Sequence, residues 1–132
     1  MKPLVARDLW TWIEEHRHAF APPVGNKVIW EDSQFTAMVI RGPNARRDFH
    51  VDPSDEIFFM LKGDMVLEVL EDGRRREHVI REGELLLVPR SRRTRPTGRP
   101  TPGAWSSRSR AGRTRPSRSS GTASAATPCC TR

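Results

Sequence analysis

The sequence predicts a mainly-β fold: an antiparallel barrel or sandwich, entered through one helix and followed by a disordered tail. Three features carry this reading. Between residues 27 and 89, short apolar-rich runs are separated by turn residues at regular intervals, as all-β domains require. Only one stretch, near the start, has helical spacing. After Val88 the chain contains no Val, Ile, Leu, Met or Phe.

Asp8 is placed to cap a helix over residues 8–20, with Leu9, Trp12, Ile13, His16 and Phe20 along one face. Pro22-Pro23 stops it, and Val24-Gly25-Asn26 turns the chain. Strands are expected at 27–32, 34–42, 49–52, 56–63, 64–73, 74–80 and 85–89. Glu71-Asp72-Gly73 is a hairpin signal, since an Asp-Gly pair tolerates the positive φ of a tight turn. Trp10, Trp12 and Trp30 are expected in the core or against another subunit. Residues 90–132 are Arg, Ser, Thr, Pro, Ala and Gly, with Trp105, Cys129 and Cys130. Such a segment cannot bury enough apolar surface to offset an ordering cost of about 1–2 kcal/mol per residue. The expected division is a partial barrel over 1–89 and a disordered tail over 90–132.

The net charge of +7 misleads, because it is split. Residues 1–89 hold all 16 acidic residues and are net acidic; residues 90–132 hold 11 Arg and no acid. A basic total ordinarily suggests a nucleic-acid or acidic-membrane partner, but here it belongs to the tail alone, and neither partner is expected. Two adjacent cysteines make a poor structural disulfide and do not make a zinc site. No apolar run approaches membrane-spanning length and no signal peptide is legible, so a cytoplasmic location is the default expectation.

The chemistry lies in a spacing. Gly42, seven residues, His50, one, Asp52, three, Glu56, six, Gly63 resembles the first motif of the cupin superfamily, G-x5-H-x-H-x3/4-E-x6-G, with two extra residues early and Asp52 at the second His. Gly83-x5-Pro89 resembles the opening of the second motif. A mononuclear iron oxygenase wants two imidazoles and one carboxylate on one face of the metal. His50 and Glu56 bracket a short turn that can point both into one barrel mouth. On spacing alone, an edge-strand His and a solvated Glu explain the pattern as well.

The blocks PPVGN (22–26), GPNARRDFH (42–50), DPSDEIFF (52–59) and DGRRREHVIREGELLLVP (72–89) resemble the 3-hydroxyanthranilate 3,4-dioxygenase family within the cupins. That resemblance implies a double-stranded β-helix (jelly-roll) barrel and Fe(II). It implies ring-opening dioxygenation of 3-hydroxyanthranilate by O₂ to 2-amino-3-carboxymuconate semialdehyde, on the kynurenine route of tryptophan degradation to quinolinate and NAD. Carried over by position, His50 and Glu56 are metal ligands, and Glu56 also lies against the substrate. Arg46 is the polar pocket residue near O₂ or substrate, where its alternative is a solvated loop Arg. Asn26 lines the pocket, where its alternative is a turn residue. A homodimer is compatible with the resemblance.

The family pattern then breaks. Members continue with H-S-P-Q-R-P, whose His is the third ligand and whose Arg meets the substrate carboxylate; this chain has RSRRTRPTGRP at 90–100. No His follows His78. A shifted reading of permitted codons turns this stretch into E-P-P-H-A-P-H-R-P, with the first His spanning Arg93 and Thr94. The same shift turns 118–131 into a segment containing Cys-x-x-Cys. The expectation is a frameshift near Arg90, a truncated barrel with exposed strand edges, and ring cleavage that is impaired or lost. The alternative is a non-catalytic cupin module that binds a metal or ligand.

Overall fold

A computed structural model describes residues 3–22, 25–43, 48–97 and 103–111. Asp8 caps helix α1 (Leu9–Glu15), its carboxylate accepting the Thr11 N–H at 2.8 Å. The expected helix is shorter than 8–20. At His16 the backbone leaves helical geometry, and the imidazole Nδ1 lies 2.8 Å from the Trp12 carbonyl oxygen. A 3₁₀ turn, Arg17–Phe20, completes the segment.

Among the described residues nine strands follow: β1 (Gly25–Val28), β2 (Phe35–Arg41), β3 (His50–Val51), β4 (Glu56–Lys62), β5 (Met65–Glu71), β6 (Arg74–Ile80), β7 (Leu85–Val88), β8 (Arg93–Thr97) and β9 (Trp105–Ala111). They form two antiparallel sheets, one in the order β1-β2-β9-β4-β7 and one in the order β3-β8-β5-β6. The hairpin at 71–74 closes as expected, with positive φ at Asp72 (49°) and Gly73 (75°).

Alternation along the strands sorts side chains between two faces. Phe58, Met60, Met65, Leu67, Val69, Ile80, Val88 and Ala104 fill the space between the sheets. On the other face of the five-stranded sheet, Trp12, Ile13 and Phe20 pack on Val39, with Trp105 edge-on to Phe20 at 5.0 Å. Trp12 is therefore core, whereas Trp10 and Trp30 are about half exposed. Arg74, Arg75 and Arg76 are solvated at the start of edge strand β6.

The expectation of disorder from residue 90 does not hold for Arg93–Thr97 and Trp105–Ala111, which are central strands. β8 lies between β3 and β5, and β9 between β2 and β4. The physical reason is that a ladder is made of main-chain N–H and C=O groups, which every non-proline residue carries. Aliphatic side chains supplied by the neighbouring strands bury these two, and the small inward residues Thr94, Ala104 and Ser106 fit at 1–5% exposure. Residues 98–102 and 112–132, with the two cysteines, lie outside the described residues.

Gly25 starts β1 against the end of the 3₁₀ turn, and a Cβ there would meet the Phe20 carbonyl oxygen at 2.7 Å. That neighbour is backbone and cannot swing aside. Gly25→Ala is expected to destabilise the chain by about 1–3 kcal/mol, as overpacking does, read as a lower midpoint in thermal unfolding followed by circular dichroism.

Candidate functional site

His50 opens β3 and Glu56 opens β4, so the short turn between them carries the chain from one sheet to the other. Glu56 shares the inward parity of Phe58 and Met60 and is 2% exposed; His50 is half-buried. The sheet register then decides what each one meets.

Across the β3–β8 ladder, the partner of His50 is Thr94, whose Oγ1 lies 3.4 Å from His50 Nε2. Across the β4–β9 ladder, Glu56 is opposite Arg110 and Phe58 is opposite Arg108. Arg108 Nη2 donates to Glu56 Oε1 and, at 3.3 Å, to Asp52 Oδ2. Arg110 Nη1 donates to the same Asp52 oxygen. Asp52 Oδ1 accepts the Ser54 N–H at 3.1 Å. Burial alone would raise the Asp52 carboxyl, but the Ser54 N–H, the Arg110 hydrogen bond and the charges of Arg110 and Arg108 outweigh it and hold the group below the usual carboxylate range. The result is a chain of carboxylate and guanidinium, Glu56–Arg108–Asp52–Arg110, which runs from the buried Glu56 out to a partly exposed Arg110.

Two of the four sequence-derived site residues thus stand at one end of the barrel, each with a polar partner from the segment after residue 89. Asn26 lies exposed on edge strand β1, and Arg46 lies outside the described residues. Arg108 and Arg110 were not legible as site residues, and Thr94 was marked only through the shifted codon reading. Arg108 and Arg110 alternate with serines at a strand period, but a period of two leaves open which face turns inward.

The two sheets and their core define a cupin-type barrel. Solved structures support that fold. A cupin protein of Methanocaldococcus jannaschii with a double-stranded β-helix fold matches with a TM-score of 0.56 and 17% identity, over 70% of this chain and 83% of that one. A Neisseria meningitidis protein matches with a TM-score of 0.59 and 22% identity, over 76% and 96%.

The 3-hydroxyanthranilic acid dioxygenase family model matches residues 1–100, and the chain belongs to that family. The 3-hydroxyanthranilate 3,4-dioxygenase of Bacillus thuringiensis (strain Al Hakam) is 48% identical over 89 residues, 67% of this chain and 50% of the relative. The Shewanella woodyi protein of the same name is 46% identical over 104 residues, 79% of this chain and 54% of that one. The chain spans about half the length of the curated relatives it matches.

The described side chains do not fit a mononuclear iron centre. Among the described residues, no three His, Cys, Asp or Glu side chains come together as a ligand set. Glu56 is already bonded to a guanidinium, and the Thr94 hydroxyl lies 3.4 Å from His50 Nε2.

Arg108→Ala would leave two buried carboxylates short of their shared cation. It is expected to cost about 3–5 kcal/mol, the range for breaking a buried ion pair on one side. Arg17→Ala, which removes an exposed helix pair with Glu14, is expected to leave the unfolding midpoint unchanged. Urea titration of the two variants checks the contrast.

Proposed function

We propose that this chain descends from an Fe(II)-dependent dioxygenase that opens the ring of 3-hydroxyanthranilate, and that it carries out this reaction weakly or not at all. His50 and Glu56 are the ancestral metal ligands in this reading. Arg46 and Asn26 are ancestral pocket residues, the first near O₂ or substrate. Family membership supports the reaction class, and the names of the relatives support the substrate. The observation that carries the loss is the site itself: Glu56 is held by Arg108, and Thr94 stands across from His50.

The altered segment is read as a frameshift beginning at or just before Arg90. In the shifted frame a His codon spans Arg93 and Thr94, and Thr94 is the residue the β-ladder places opposite His50. The pairing of Thr94 with His50 is compatible with this reading. The coding DNA checks this directly: codons at 93–94 that cannot encode His in the shifted frame would remove the proposal.

For activity, the purified 132-residue chain is expected to hold far less than one iron per chain after anaerobic Fe(II) loading. Oxygen uptake with 3-hydroxyanthranilate is expected at background. Robust iron-dependent uptake would overturn the reading. The Glu56–Arg108 pair also favours a second reading, a non-catalytic cupin module. Calorimetric binding of 3-hydroxyanthranilate without turnover would select it.

A further inference from the structure

The family's chemistry places a metal cation beside a carboxylate, and this chain places a guanidinium there. Glu56 and Asp52, at 2% and 6% exposure, come from β4 and from the turn before it. Carboxylates buried this deeply require a cationic partner or proton, because the ionised form loses its hydration. Arg108 meets that need from the facing strand. One of its two terminal nitrogens, Nη2, reaches both carboxylates, its side chain is only 13% exposed, and its guanidinium lies over the Phe58 ring at 5.7 Å.

We propose that Arg108 is the resident cation of this site, holding Glu56 and Asp52 in place of a metal ion and closing the barrel without one. The inference rests on the reading of Glu56 as the family's metal-facing carboxylate. A divalent ion entering here has to displace a cation tethered to the central strand β9, which is present at high effective concentration and cannot diffuse away. It also finds a hydroxyl, Thr94, where a third ligand would have to stand opposite His50. Sensitivity to metal therefore emerges only when Arg108 is removed, and fully only when position 94 also offers an imidazole.

Thermal unfolding in EDTA and in excess Co(II), with the visible spectrum of Co(II) as a second readout, tests this on the whole chain. The unaltered chain is expected to melt at one temperature in both solutions and to show no cobalt band. Arg108→Ala is expected to melt lower by more than about 5 °C in EDTA, a shift within reach of one broken buried pair. Glu56→Gln/Arg108→Ala is expected to regain at least half of that loss, since a neutral amide needs no counter-cation. Thr94→His/Arg108→Ala is expected to melt higher in Co(II) than in EDTA and to develop a visible band. If Arg108→Ala does not fold, Arg108→Lys must fold and stay blind to Co(II), because it keeps the charge.

Four results overturn the proposal: stabilisation of the unaltered chain by Co(II), no regain in the Glu56→Gln double variant, no response to Co(II) in the Thr94→His double variant, or failure of Arg108→Lys to fold. Oxygen uptake by the unaltered chain is scored separately. Turnover would sink the functional reading above, while the melting cycle would still decide what Arg108 does.

Discussion

Glu56 and Asp52 are buried at the end of a small barrel, and a buried carboxylate is tolerated only when its charge is answered locally. Here Arg108 and Arg110 answer it, and both lie on β9. That strand sits between β2 and β4 in the five-stranded sheet, so the charge balance and the continuity of the sheet depend on the same few residues. The ion pairs are the condition under which an arginine-rich strand can occupy the middle of a sheet. Without the carboxylates, the Arg108 guanidinium would sit on the Phe58 ring with its charge unanswered; without the guanidinium groups, the carboxylates would be uncompensated.

β8 makes a parallel case with less charge. Its inward Thr94 is small and nearly inaccessible, and its outward Arg95 pairs with Glu68, directly across the β5 ladder at 2.9 Å. Neither β8 nor β9 contributes a large aliphatic side chain. The core between the sheets comes mostly from β4, β5, β6 and β7, with Phe58, Met60, Leu67, Val69, Ile80 and Val88. This division explains why strands beyond residue 89 form although the composition there argues against them. Apolar burial is supplied by one set of strands and hydrogen-bond completion by another.

The same division explains which parts of the site could be read in advance. His50 and Glu56 were legible because a motif spacing survives in 42–63, and spacing is a local property of the chain. Asp52 was visible only as a departure from the motif; its two guanidinium partners are 56 and 58 residues away in sequence. Thr94 could be reached by codon arithmetic, which marks a position and says nothing of what lies across from it. Arg108 and Arg110 had no local signal, because an alternation of Arg and Ser suits an exposed strand as well as a buried one.

By itself, the sequence determined the helix cap at Asp8, the order of the strands through 88, the 71–74 hairpin and the resemblance that names the family. Each of these is written in residues that are neighbours along the chain: a capping side chain, a period of two, an Asp-Gly turn, a motif. Tertiary structure decided the rest: that 93–97 and 105–111 are central strands, that Thr94 faces His50, and that a guanidinium holds Glu56. Those outcomes depend on the register between strands far apart in sequence. A shift of one residue would turn Arg108 outward and leave Glu56 buried with no cation beside it.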